Sequence, residues 1–262
     1  MRAGRGEVMT TDMPTVLVTG AARRIGKAIA LDLGAHGFRV AVHANRSRDG
    51  AEAVAASITG SGGRAEVFLA DLSDGAAVRR LHAEISERLG APGIIINNAS
   101  VFEDDDIRSF DEAAFDKNFA IHVKAPAILA ECMAASLPDA ADGLIVNIID
   151  QRVWRLTPRF FSYTLSKSAL WTATQTMALA LAPRIRVNAI GPGPTLANER
   201  QSAEDFARQV DAVPLERGPA LGEFGATIRY LHQARSVTGQ MIALDGGQHM
   251  AWKTPDVVNV GE

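Results

Sequence analysis

The stretch TVLVTGAARRIGKAIALDLGAHG (15–37) decides the fold. TVLVTG (15–20) is a short apolar run without alternation, the pattern of a strand buried on both faces, and it ends in glycine. RIGKAIALDLGAHG (24–37) follows as a helix. Its apolar residues are Ile25, Ala28, Ile29, Leu31 and Leu33, and its stop is at Gly34 or Gly37. A strand that turns through glycine into a helix aims backbone N–H groups at whatever lies beyond the strand end, a natural place for phosphate. Alone, such a turn fits a merely structural junction equally well.

The same alternation continues to residue 247. Strands are read at FRVAVHA (38–44), AEVFLADL (65–72), GIIINNAS (93–100), GLIVNIID (143–150), IRVNAIGPG (185–193) and TGQMIALDGG (238–247). Helices are read at 49–63, 76–90, 111–136, 162–183 and 223–234. Apolar strands spaced by helices make a parallel sheet with right-handed crossovers. The expected fold is α/β: one doubly wound, Rossmann-type domain over 14–262, with about seven strands and helices on both faces. Residues 1–13 read as a disordered extension, and 194–222 as the least regular stretch.

Composition narrows the function. The 262 residues carry a formal net charge of -3, which argues against nucleic-acid binding. No unbroken apolar run approaches a membrane span, and the N-terminus lacks the apolar region of a secretory signal. The one cysteine, Cys132, fits a reducing cytoplasm. No metal site is expected.

In doubly wound sheets ligands sit beyond the carboxyl ends of the strands. Those ends place Gly20, Arg23, Arg24, Ile25 and Gly26 after the first strand. His43, Asn45, Arg46 and Ser47 follow the second, Asp71 and Leu72 the third, and Gly193 the sixth. All are candidate dinucleotide-binding residues. No acid ends the second strand to accept from a ribose hydroxyl. Arg46 and Ser47 there, with Arg23 and Arg24 in the first turn, favour the 2′-phosphate of NADPH over NADH. The alternative is that Arg46 and Arg48 are solvated loop charges. Asp71 faces the adenine end or caps a helix.

SYTLSK (162–167) puts Tyr163 and Lys167 on one helix face. A lysine ammonium near a phenol is expected to lower its pKa toward the working range and to hold ribose hydroxyls. Asp150 ends the fifth strand thirteen residues earlier, at the rim where ligands bind. The three together read as a catalytic constellation.

Taken with TGAARRIG, ADL (70–72), NNAS (97–100), IVNIID (145–150), IRVNAIGPGPT (185–195) and TGQMIALDGG, these residues resemble the short-chain dehydrogenase/reductase family over about 15–247. The resemblance implies hydride transfer from a nicotinamide cofactor. It makes Tyr163 the acid, Lys167 the cofactor holder, and Asn98 with Ala99 a wall for the adenosine side. It further implies a lid near 194–222 and a homotetramer formed partly through the alanine-rich helices at 111–136 and 162–183. Met250 and Trp252 are expected to pack on a neighbouring subunit or close the pocket.

Three departures from the family pattern point further. Arg24 replaces the middle glycine of T-G-x-x-x-G-x-G, Asp150 replaces a serine, and His122 aligns with an asparagine. With HANRS (43–47) and NNASVF (97–102), they are similar to pteridine reductases and dihydromonapterin/dihydrofolate reductases. That likeness implies that Phe102 stacks a pterin ring, that Arg24 and Ser100 reach cofactor phosphate and substrate, and that Asp150 helps Tyr163 protonate a ring nitrogen. His122 is either part of a proton relay or structural. Phe102 is either the platform or core filler, and EDDD (103–106) either a solvated run or part of the pocket mouth. The competing functions are an NADPH-dependent reductase of small carbonyls and a non-catalytic NADPH sensor. The presence of both Tyr163 and Lys167 weighs against the sensor.

Overall fold

The computed structural model describes residues 13–197 and 201–252. The reading of 1–12, of 198–200 and of the tail beyond Trp252 lies outside the described residues. Seven strands form one parallel sheet: β1 (Thr15–Val18), β2 (Arg39–Ala44), β3 (Arg64–Leu69), β4 (Pro92–Asn97), β5 (Gly143–Ile148), β6 (Ile185–Pro192) and β7 (Met241–Leu244). Their order is β3-β2-β1-β4-β5-β6-β7. Between β1 and β4 the order reverses, and the crevice above that switch point is where a ligand binds in such sheets. Eight helices connect the strands among the described residues: α1 (Arg24–Ala35), α2 (Arg48–Gly60), α3 (Gly75–Leu89), α4 (Glu112–Phe119), α5 (Ala125–Ser136), α6 (Phe161–Ala180), α7 (Ala203–Asp211) and α8 (Leu221–Gln233).

The core lies in two layers, one on each sheet face. Val16, Val18, Val40, Val42, Ile94 and Ile96 face α1, α2 and α8, and Leu17, Ala41, Ile95 and Ile145 face α3, α5 and α6. The central strands β1, β4 and β5 are therefore apolar at most positions, with Thr15, Asn97 and Asn147 buried among them, which is why they read as near-continuous runs. Each fully buried Ile, Leu or Phe contributes roughly 1.5–3 kcal/mol.

Sequence and structure part at the strand ends. β1, β3, β4, β5 and β7 all stop two to three residues short of the expected carboxyl ends. Pairing ceases there, and the residues beyond, among them Gly20, Asp71, Asn98, Ala99, Ser100 and Asp150, line the cavity over the switch point. The expected helix at 111–136 is a broken one: Ala120–Lys124 make a π turn between α4 and α5, and it carries His122. π turns concentrate at functional sites. The segment expected to be irregular contains α7, whose N-cap Ser202 accepts from the Asp205 N–H. That cap, a serine three residues before an acid, was readable in the sequence.

One helical stretch among the described residues, Glu112–Ser136, meets the length and hydropathy of a membrane span. Counting only unbroken apolar runs misses it, because Asp116, Lys117, Lys124 and Glu131 interrupt the pattern. In the fold it packs on α3 and, through α4, on α6.

Candidate active site

A cavity of about 870 Å³ opens over the switch point. Its floor is the turn between β1 and α1. Gly20 takes φ +66 and lies so close to β4's extension that a Cβ would stand 2.9 Å from the Ala99 Cα. Thr19, which the sequence reading did not single out, fastens this corner: its hydroxyl accepts from the N–H groups of Asn98 (2.9 Å) and Ala99 (3.0 Å). The Asn98 amide in turn donates to the Thr19 carbonyl at 2.8 Å. No side chain caps the first turn of α1, so that end is left to face an anion.

Arg24 sits at φ +52, the left-handed region. A glycine meets that conformation without strain, whereas a side chain costs about 1–2 kcal/mol. The guanidinium donates to the carbonyls of Ala197 (2.9 Å) and Leu196 (3.0 Å), which offsets part of the cost and ties the first turn to the start of the 194–222 segment. Arg23, Asn45, Arg46 and Ser47 are exposed along the same wall of the cavity, with Ile25, Gly26, Leu72 and Gly193 lining it. Asp71 is held below the usual carboxylate range by the Ser73 hydroxyl and N–H, and Arg46 and Asn45 stand near it.

His43 lines the cavity, and both of its ring nitrogens are bonded to backbone groups. Its Nδ1 accepts from the Gly20 N–H at 3.1 Å and its Nε2 donates to the Ala70 carbonyl at 3.1 Å. Both nitrogens are spent inside the protein, so the ring braces the turn. Burial pushes its pKa from 6.5 down to about 4. The folded state therefore refuses a proton that the unfolded chain takes up below 6.5. Its stabilising share is full above pH 6.5 and is lost as pH falls toward 4, by roughly 3 kcal/mol at the acid end. Urea melts between pH 7 and 4 should show native stability falling steeply through that window. His43→Gln should flatten the slope, and an unchanged slope would remove His43 as its cause.

At the far end of the cavity stand Asp150, Tyr163 and Lys167. Tyr163 Oη donates to Asp150 Oδ2 at 3.0 Å. Lys167 Nζ is 5.7 Å from the Tyr163 ring centroid and donates to the Ile148 carbonyl at 2.8 Å. Burial lowers the Lys167 pKa to about 8, against the pull of Asp150. The expectation that Lys167 lowers the Tyr163 pKa is corrected: burial and the adjacent Asp150 charge push the phenol well above 10, outweighing Arg152. Tyr163 is thus held as a neutral phenol, the form that gives up a proton.

His122 is buried behind this group. Its Nε2 accepts from the Val101 N–H at 3.2 Å and lies 2.9 Å from Ser100 Oγ. A nitrogen that accepts from a backbone N–H carries no proton, so Nδ1 is the donor, to Ser166 Oγ at 2.8 Å. Burial, and then Lys167, hold its pKa well below 6.5. The arrangement fits the structural reading, a neutral ring that pins residues 100–101 to α6.

Phe102 packs edge-on against Tyr163, at 4.8 Å between centroids. Phe160, unmarked in the sequence reading, stacks on it at 4.3 Å. The EDDD run is fully committed. Glu103 pairs with Lys117, Asp104 with Arg159, and Asp106 caps a short turn. The buried Asp105 accepts from the Ser162 N–H and hydroxyl at the head of α6, one residue before Tyr163. Glu103 also lines the cavity, in keeping with the pocket-mouth reading, while Asp105 anchors the head of α6.

Residues 14–207 match the family model described as short chain dehydrogenase. The chain belongs to the short-chain dehydrogenase/reductase family. It is an oxidoreductase of that family. It is 60% identical to the alternative dihydrofolate reductase 1, FolM, of Brucella canis, crystallised with NADP; the match covers 94% of this chain and 98% of that one, with a TM-score of 0.92. It is 31% identical to the angucycline C-6 ketoreductase LanV, solved with NADP, covering 90% and 96% at a TM-score of 0.83. It is also 28% identical over 241 residues to the 3-oxoacyl-[acyl-carrier-protein] reductase FabG of Staphylococcus epidermidis, covering 90% of this chain and 99% of that one.

Proposed function

We propose that this protein is an NADPH-dependent reductase of a pterin-type C=N substrate. The observation that carries the reading is the 3.0 Å contact from the Tyr163 hydroxyl to the Asp150 carboxylate at the rim of the cavity, beside Phe102. The 60% identity to the Brucella canis protein supports it.

The residues present fit a dinucleotide. The uncapped start of α1 with Arg23 and Arg24 suits a pyrophosphate, and Arg46 with Ser47 suits a 2′-phosphate. Asn98, Ala99, Asp71 and Leu72 form the adenosine side, and Lys167 and Gly193 the nicotinamide side. When bound there, the nicotinamide supplies the hydride. Tyr163 delivers its phenolic proton to the nitrogen beside the reduced carbon. Asp150 accepts from N–H and amino donors along one edge of the ring, which a serine hydroxyl does less well. Phe102 offers its ring as a platform, and Arg24 with Ser100 borders the substrate. Residues 194–222 act as the lid, with the Arg24 bonds to Leu196 and Ala197 holding its near end. Leu165 and Leu179, exposed on α6, suit assembly into a cytoplasmic homotetramer.

NADPH oxidation assayed in parallel with dihydrofolate, dihydromonapterin, biopterin and several aliphatic ketones tests this reading. Dihydropterin turnover is expected to exceed ketone turnover. Phe102→Ala should cut turnover of the flat substrates by about tenfold, the scale of one lost aromatic contact, and leave ketones nearly untouched. Ketone reduction alone, kept or raised in Asp150→Ser, would replace the pterin reading with carbonyl reduction. Tight NADPH binding with no turnover of any substrate would make the protein a sensor.

A further inference from the structure

The Asp150–Tyr163 pair has a third member. Gln151–Val153 form a single 3-10 turn after β5, capped by Asp150. The Arg152 N–H donates to Asp150 Oδ1 at 2.8 Å. The Arg152 side chain then folds back on the same carboxylate, with Nη1 3.3 Å from Oδ2, the oxygen that accepts from Tyr163. The guanidinium carbon lies 5.3 Å from the Phe102 centroid and 5.1 Å from that of Phe160. Those two rings are 4.3 Å apart, so the cation stands alongside the stacked pair, not on top of it. The Arg152 side chain is only 21% exposed, and that of Asp150 14%.

We propose that Arg152 is a positioning residue for proton delivery: it fixes the Asp150 carboxylate beneath the Tyr163 hydroxyl. The proposal rests on the function given above. A carboxylate at this depth loses hydration and needs a partner. The groups that face Asp150 are Arg152 on its own turn, and Tyr163 and Lys167 on α6. Lys167 is committed to the Ile148 carbonyl, and His122 behind Ser100 is neutral. Among the described residues that leaves Arg152 as the cation in hydrogen-bond contact. The charges of Asp150 and Arg152 also act on Tyr163 in opposite directions, Asp150 making the phenol a weaker acid and Arg152 a stronger one. A lysine here keeps the charge but loses the planar fork and the lateral packing on the rings.

The test compares Arg152→Met and Arg152→Lys with the native chain. Steady-state kinetics give kcat and KM, and fluorescence titration gives the NADPH Kd. Infrared difference spectra of the cofactor-free protein follow the Asp150 carboxylate stretches, assigned through Asp150→Asn. Arg152→Met should lower kcat about fivefold, with substrate KM and NADPH Kd within about twofold. The symmetric and antisymmetric Asp150 carboxylate stretches should both shift, as loss of a charge-assisted hydrogen bond to that group does. Arg152→Lys should restore part of both shifts. A loss confined to KM would make Arg152 a substrate contact and overturn the proposal. So would unmoved stretches in either variant that melts at the native temperature. The stretches need no turnover, so a native protein inert toward dihydropterins would defeat the proposed function while the stretches still decide the role of Arg152.

Discussion

Tyr163→Phe should lower kcat about 10³-fold and leave the NADPH Kd within about twofold. Burial and the Asp150 charge hold Tyr163 as a phenol, so its proton is available throughout the neutral range. In the described arrangement His122 is neutral and turned toward Ser166, and Lys167 donates to a backbone carbonyl. Neither is aimed where the phenol is aimed. The ring itself is retained in the variant, so its edge contact with Phe102 and its packing on α6 persist. The lost atom is the oxygen alone, and the loss falls on the chemical step. Rapid-mixing measurement of NADPH oxidation, beside a binding titration, checks both halves. Turnover within tenfold of native would remove Tyr163 as the acid, and a matching loss of NADPH binding would make it a cofactor contact instead.

The parts of this site legible in the sequence are those tied to local periodicity. Tyr163 and Lys167 share a helix face because they are four apart, and Asp150 stands at a rim because an apolar strand ends there. The parallel, doubly wound sheet followed from the alternation of buried strands with helices, while the strand order came from the structure. What was not legible acts through tertiary contacts between distant segments. Asp105 looked like one of four loop acids, and only the fold brings it to the head of α6 to accept from Ser162. Thr19 was read as a strand end, yet its hydroxyl joins β1 to the extension of β4.

Charge and burial explain what position and spacing alone did not convey. The Tyr163–Lys167 spacing suggested an acidified phenol. The result has the other sign because burial desolvates the phenolate and Asp150, not Lys167, is in hydrogen-bond contact with the hydroxyl. His43 carried a site-like position and a polar side chain, but a ring that is 1% exposed, with both nitrogens bonded, serves the backbone turn. Arg24 shows the reverse. Its departure from a family glycine was visible, and the structure adds what it does: a left-handed residue bearing a long cation joins the β1–α1 turn to the carbonyls of Leu196 and Ala197.

Arg46→Ala should weaken NADPH binding about 30-fold or more and NADH binding less than about threefold, the scale of a charge-assisted hydrogen bond lost to one ligand only. Arg46 is exposed at the head of α2, where Ser47 takes the N-cap position without using its hydroxyl as a cap. A helix start with a spare hydroxyl and a cation suits a phosphate monoester. Asp71 sharpens the contrast. It sits near Arg46 and is held anionic by Ser73, so removing the guanidinium leaves a bare carboxylate near the place a 2′-phosphate would take. NADH carries only a hydroxyl there, which a carboxylate accepts from, so NADH escapes the penalty. The difference should shrink with salt, because exposed charges are screened over about 8–10 Å at physiological ionic strength and over about 3 Å at 1 M. Titrating both cofactors into native and variant protein at 0.05 M and 1 M salt measures it. Equal losses for the two cofactors, or a preference that ignores salt, would show that another group reads the phosphate.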